Sequence, residues 1–186
     1  MSNNATGVLW RRLSYFLSPQ LDIYKHLAPK VAGLDVLEVG FGTGFGTVQL
    51  ASSAGRVTAI ETDPSSVAFA KYVFPLRNIR WELGDITTQV RPNYDAVVCL
   101  EVLEHIPNWR AALKNMADTG ATLYISGPNA NANLRKNDIH EREWTAKEFS
   151  SSLHEFFSEV KLYRYDLSEE LDLDTRATPL LAICRA

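Results

Sequence analysis

The chain has only two cysteines, Cys99 and Cys184, and neither belongs to a CxxC pair. That excludes a disulfide framework and a zinc ribbon, and two reduced thiols buried in apolar segments are expected. Long hydrophobic runs are also missing, none approaching the roughly 20 residues that a membrane span needs. The opening stretch MSNNATGVLWRRLSYFL carries two arginines inside its apolar part and no small-residue cleavage site, so it does not read as a secretion signal. Basic residues are not in excess: 19 Lys and Arg stand against 22 Asp and Glu, a formal net charge of −3. No global basic field recruits nucleic acid or an anionic lipid surface. The expectations are a cytoplasmic location and neither a membrane nor a nucleic-acid partner. What is present, 46% hydrophobic and 22% charged residues over 186 positions, suits one domain with a sizeable core.

No internal repeat interrupts the chain. Ser18–Ala32 reads as a helix with Ser18 as cap and Pro19 at its first position. Strands and helices then alternate. Strands are expected at 35–39, 56–60, 79–83, 94–100 and 121–126, and helices at 47–53, 65–74, 109–116 and 145–157. The run YDAVVCL (94–100) is apolar almost throughout, as strands covered on both faces are. Two late strands, EVKLYRY and PLLAICR, leave no room for a packed helix between them and are expected to pair antiparallel. The pattern predicts an α/β fold: a Rossmann-like seven-stranded sheet, mostly parallel with one antiparallel late strand, and helices on both faces. Residues 1–33 are expected to form a short N-terminal helical cap and 34–186 the ligand-binding domain. Ligands in such sheets bind beyond the carboxyl ends of the strands, at the switch point.

Behind the first strand, VLEVGFGTGFGT sets Gly40, Gly42, Gly44 and Gly46 at every second position. The loop lacks the Gly-Lys-Ser/Thr ending of a nucleoside-triphosphate loop. It also lacks the sixth-position glycine of the dinucleotide fingerprint, since Phe45 and Thr47 stand there in the two registers. A nicotinamide-dependent oxidoreductase is therefore a distant reading. The second strand ends in Glu61, whose carboxylate can accept from a ribose diol, and Asp63 and Ser65 are better placed than Glu61 to cap the next helix.

Glu38-Val39-Gly40-Phe41-Gly42-Thr43-Gly44 resembles motif I of the class I S-adenosylmethionine-dependent methyltransferases, an acid followed by alternating glycines. The resemblance runs over about residues 34 to 186. It implies that Glu38, Gly40, Phe41, Gly42, Thr43 and Gly44 hold the methionine part of the cofactor S-adenosylmethionine and that Glu61 takes its ribose. It further implies that Asp85 and Ile86, in LGDI, take the adenine, with Thr62 and Ile86 on the ring faces. CLEVLEHIPN (99–108) is similar to the segment after the fourth strand in small-molecule methyltransferases of the ubiquinone-biosynthesis type, where the carbonyl near Leu100 faces the ligand's amino group.

Methyl transfer requires alignment of a nucleophile and removal of its proton. Groups expected at the same sheet edge are Glu101, Glu104, His105 and His140, with His105 the preferred base and Glu101 and His140 as further catalytic candidates. The expected reaction is transfer to a small-molecule acceptor, at oxygen, by a monomer or homodimer that needs no metal. Two alternatives stay open. Glu101, Glu104 and His105 form ExxEH, and His140 precedes the EWT of HEREWT. This is similar to the metal-binding set of the small-RNA 2′-O-methyltransferases and would suit Mn or Fe. The other alternative is a regulatory subunit that binds the cofactor without transferring its methyl group. Trp10, Tyr15, Phe16 and Tyr24 form either an aromatic lid or the apolar face of a core helix, the commoner arrangement. Arg135, Lys136 and Arg142 raise the question of an anionic acceptor, beside three acids that favour a solvated mixed-charge loop.

Overall fold

Aliphatic and β-branched runs of five or six residues become strands because both of their faces can be buried. The computed structural model describes residues 20–88, 93–132 and 140–185. Within these, β1 (Asp35–Val39), β2 (Arg56–Glu61), β3 (Ile79–Leu83), β4 (Ala96–Leu100), β5 (Thr122–Gly127), β6 (Glu159–Arg164) and β7 (Leu180–Arg185) form one sheet. Its order is β3-β2-β1-β4-β5-β7-β6. β1 to β5 run parallel, and β7 enters antiparallel to both β5 and β6. The expected seven-stranded mixed sheet is what forms. β1 and β4 are sequence-distant neighbours at its centre, so the switch point lies between their carboxyl ends.

Among the described residues, five helices cover the two faces: α1 (Gln20–Leu27), α2 (Phe45–Ala51), α3 (Pro64–Val73), α4 (Trp109–Ala117) and α5 (Ala146–His154). Strand alternation splits the core accordingly. Leu37, Val39, Val97 and Cys99 pack with Leu113 of α4 and Phe149 of α5. Val36, Val57 and Val98 pack with Ile23 and Leu27 of α1 and Leu50 of α2. Each fully buried side chain of this kind contributes on the order of 1.5–3 kcal/mol. Ile23, Tyr24, Leu27 and Val31 thus share the core of the sheet. Ser18, Pro19, Trp10, Tyr15 and Phe16 lie outside the described residues, as do Arg135 and Lys136.

Two caps fix helices next to the switch point. Asp63 accepts from the N–H groups of Ser65 and Ser66 at 3.1 and 3.0 Å, with Pro64 in the first turn of α3. The same two serines hold its carboxyl down at about 2. Thr145 and Glu148 form a reciprocal capping box at α5. α2 starts at Phe45, two residues earlier than expected, because Gly44 caps it in the left-handed region at φ 85°.

Candidate active site

The segments that follow β1, β2, β3 and β4 enclose one cavity of about 550 Å³ at the carboxyl edge of the sheet, within the range of small-molecule sites. Gly40, Gly42, Glu61, Thr62, Asp85 and Ile86 wall one end, and Glu101 and His105 wall the other. Each strand delivers its residues where it leaves the ladder and the chain must turn.

The four loop glycines answer to four different neighbours. A Cβ at Gly40 would lie 2.5 Å from Val102 Cγ2, one at Gly44 2.8 Å from Trp81 Cη2, and one at Gly46 2.2 Å from Tyr24 Cζ. Those three positions leave space for the protein's own side chains. Only Gly42, at φ 57°, has nothing within 4 Å of its Cβ direction, and it lines the cavity together with Gly40. Its N–H donates to Glu61 Oε2 at 3.0 Å, while Glu61 Oε1 accepts from the N–H groups of Thr62 and Asp63 at 2.7 and 3.1 Å. Glu61 therefore ties the glycine loop to the end of β2 as well as facing the cavity. Asp85 Oδ1 accepts from the Thr87 N–H at 2.8 Å, and Asn115 of α4 donates to the Ile86 carbonyl at 2.7 Å, so the third loop is braced on both sides.

Several residues expected at the ligand do not line the cavity wall. Glu38 lies on the same face of β1 as Val36, is 1% exposed, and does not line the cavity. Burial pushes its carboxyl up to about 7, against the Thr47 and Tyr24 hydroxyls, which favour the charged form. Phe41 is buried edge-on to Trp81 with ring centroids 4.8 Å apart, and Leu100 is buried in the same core. Gly44 packs on Trp81, and Thr43 is absent from the cavity wall although its Oγ1 is buried without a hydrogen-bond partner. His140 does not line the cavity.

At the other end, Glu101 adopts φ 54°, a left-handed backbone that is unusual and strained for a side-chain-bearing residue. Ser126, buried at the end of β5 and paired with Leu100, holds it there. Ser126 Oγ accepts the Glu101 N–H at 3.0 Å and donates to Glu101 Oε1 at 2.7 Å. Burial, and next the charge of Glu104, push the Glu101 carboxyl up to about 7, and Ser126 opposes that rise. Glu104 is 1% exposed and burial pushes it to about 7 as well. Sequence reasoning overlooked Ser126; extending the strand-end rule to the fifth strand would have found it.

His140 reaches this end through the segment 140–144. The Glu141 N–H donates to the Glu104 carbonyl at 2.8 Å, the Ala130 N–H donates to the Trp144 carbonyl at 2.8 Å, and Trp144 packs edge-on to Trp109 at 5.6 Å. The rings of His105 and His140 then stand 5.0 Å apart, and Glu143 contacts His140 Nδ1 at 2.7 Å. Glu104, His105 and His140 each offer one ligand atom, all within 4.8 Å of one another, and Glu104 Oε2 is buried without a hydrogen-bond partner. Glu101 is not part of that set, because its carboxylate turns to Ser126. Arg142 lies over the rings of Trp109 and Trp144 at 5.6 and 5.4 Å. His26 and His154 are exposed on helices. No helix among the described residues is long and apolar enough to cross a membrane.

Comparison with known proteins bears on this edge of the sheet. The methyltransferase domain family matches residues 37–119. A Mycolicibacterium smegmatis protein named "Probable S-adenosylmethionine-dependent methyltransferase" is 30% identical over 151 residues, 75% of this chain and 57% of that one. A ubiquinone biosynthesis O-methyltransferase of Xanthomonas campestris is 31% identical over 114 residues, 56% of this chain and 48% of that one. The chain thus spans about half the length of the curated relatives it matches. A TehB-like S-adenosylmethionine-dependent methyltransferase from Corynebacterium glutamicum shares the fold with a TM-score of 0.72 at 18% identity, covering 97% of this chain and 96% of that one. With motif I behind β1, the chain carries a methyltransferase domain over residues 37–119 and is similar to S-adenosylmethionine-dependent methyltransferases.

Proposed function

We propose that the chain transfers a methyl group from S-adenosylmethionine to a hydroxyl of a small acceptor that carries no negative charge. The observation that carries this reading is the division of one cavity into two chemically different ends. At one end stand an open glycine, two carboxylates on successive strand ends, and apolar walls from Ile60 and Ile86. No Lys or Arg lines the cavity among the described residues, which suits an adenosine ligand without phosphate and disfavours an anionic acceptor. When bound, S-adenosylmethionine supplies an electrophilic methyl group on a charged sulfur with a good leaving group. The residues are left with alignment and proton removal. Glu61 and Asp85 orient the adenosine end, Gly42 lets the backbone approach, and Glu101 with His105 accepts the proton of the acceptor hydroxyl.

Calorimetric titration with S-adenosylhomocysteine, with NADH as control, tests the cofactor end. Micromolar binding of the first alone is expected, followed by transfer of labelled methyl in an acceptor screen. Glu61→Ala should weaken S-adenosylhomocysteine binding by about tenfold or more, the scale of lost hydrogen bonds to a charged group. Unchanged affinity in that variant would remove Glu61 from the site. Binding without transfer to any acceptor would favour a regulatory subunit.

A second reading has its own observation, the unpartnered and buried Glu104 Oε2 beside His105 and His140. These three would hold a divalent ion of the Mn or Fe type, with Glu143 orienting His140, and the ion would lower the pKa of a substrate hydroxyl. On this reading Mn²⁺ raises the melting temperature of the wild type and not of His140→Ala. Equal responses of the two proteins would remove the ion from this cluster.

A further inference from the structure

The two edges of the sheet are treated differently. At β6 the chain covers its own edge: the Arg164 N–H donates to the Glu169 carbonyl and the Leu171 N–H to the Leu162 carbonyl, both at 2.8 Å, with Tyr163 bridged to Glu170. At β3 nothing among the described residues pairs with the outer side. The bonds from the Val57 N–H to the Asn78 carbonyl and from the Gly84 N–H to the Glu61 carbonyl set the phase of the ladder. Even-numbered residues of β3 turn their backbone groups toward β2, and Ile79, Trp81 and Leu83 turn theirs outward. The Ile79 N–H is taken by the Leu76 carbonyl. The outward set is therefore the N–H groups of Trp81 and Leu83 and the carbonyls of Ile79, Trp81 and Leu83. Among the described residues, four of the five large exposed hydrophobic ones belong to β3 or the segment leading into it: Tyr72 and Val73 at the end of α3, Leu76 in the connection, and Leu83 on the strand itself.

The strand reads Ile79-Arg80-Trp81-Glu82-Leu83, an apolar–cation–aromatic–anion–apolar sequence that complements its own reverse. We propose that β3 pairs antiparallel with β3 of a second copy of this chain about a two-fold axis at Trp81, making the sheet continuous through a homodimer. The register follows from phase and charge together. Outward backbone groups belong to odd-numbered residues, so only an odd residue can face an odd one. Pairing Ile79 with Trp81 would set Arg80 against Arg80, and pairing Trp81 with Leu83 would set Glu82 against Glu82. Centring on Trp81 instead sets Arg80 against Glu82 of the second copy, twice, at the non-hydrogen-bonded positions where side chains come closest. The Trp81 residues then exchange two backbone bonds, and each Leu83 N–H meets the Ile79 carbonyl of the other copy. Within one chain Arg80 and Glu82 already form an ion pair at 2.5 Å, so the dimer builds a ring of four alternating charges. A charge that only protects an edge needs no opposite partner two residues on; this pattern supplies one in the register that a symmetric, self-complementary contact requires.

Sedimentation equilibrium across the micromolar range tests this without cofactor or acceptor. The wild type should show a reversible monomer–dimer equilibrium. Arg80→Glu alone, or Glu82→Arg alone, sets like charges against each other and should weaken association by more than about tenfold. Mixing the two variants in equal amounts should restore a heterodimer, since Glu at 80 then faces Arg at 82 across the axis in both places. The internal ion pair stays broken in each variant, so recovery on mixing reports the contact between copies alone. A wild type that remains a monomer, single variants that associate as tightly as the wild type, or a mixture that stays monomeric would each overturn the proposal, as would a dimer unaffected by either charge reversal.

Discussion

Replacing Glu101 with Gln is expected to leave S-adenosylhomocysteine affinity little changed and to slow methyl transfer by about 10²–10⁴-fold, the range for losing a positioned proton acceptor. Gln keeps the shape and can still accept from Ser126 Oγ, so the strained backbone at φ 54° retains its support. What disappears is the carboxylate. The pH dependence makes the expectation sharper. Burial first, and the Glu104 charge second, raise the Glu101 carboxyl to about 7. Below that pH the group is protonated and cannot take a proton from the acceptor. The wild-type rate should therefore climb as pH passes through about 7 and level off above it. Because Glu104 is raised to about 7 as well, the two protons leave over a broad interval that belongs to the pair. In Glu101→Gln that rising limb should vanish together with most of the rate. A variant as fast as the wild type, with the limb intact, would move the role to His105, and His105→Ala would then carry the loss.

The elements that made this site visible in the sequence, and those that did not, differ in range. β4 was readable because five consecutive apolar residues admit few other placements, and the caps at Asp63 and Thr145 because their partners lie within three residues. The strand-end residues Glu61, Asp85, Glu101 and His105 were readable because topology alone brings successive strand ends to one edge. The face that Glu38 takes was not readable, because β1 is buried on both faces and alternation does not reveal which face an acid takes. In the fold Glu38 is buried against the hydroxyls of Tyr24 and Thr47 and does not line the cavity. Ser126 carried no local signal beyond its place at the end of the fifth strand, and its contact with Glu101 appears only when β5 lies beside β4. His140 reaches His105 through the ties of residues 141–144 to Glu104 and Ala130, contacts that no spacing encodes.

The glycine loop shows the same limit and leads to the second large effect. Gly46→Ala is expected to destabilise the fold by about 1–3 kcal/mol, the usual result of forcing extra volume into a packed interior. Helix propensity alone predicts the opposite, since Gly46 lies inside α2 and Ala gains roughly 1 kcal/mol there. Packing decides the sign because the new Cβ would lie 2.2 Å from Tyr24 Cζ and 2.5 Å from Cε1 and Cε2. The whole ring spans the site, so a small rotation cannot clear it. Tyr24 is 6% exposed and its hydroxyl faces Glu38, so displacing it would also disturb a buried carboxyl. A double-mutant cycle read by chemical denaturation separates these causes. In a Tyr24→Ala background, Gly46→Ala should be neutral or stabilising, because the obstacle is gone and the propensity gain remains. If the substitution is equally harmful in both backgrounds, the glycine answers to something other than Tyr24. Gly42→Ala provides the contrast: its Cβ direction is open and its backbone is left-handed at φ 57°, so it should weaken S-adenosylhomocysteine binding whatever stands at position 24. Alternate glycines in one motif would then be shown to serve two masters, the fold at Gly46 and the ligand at Gly42.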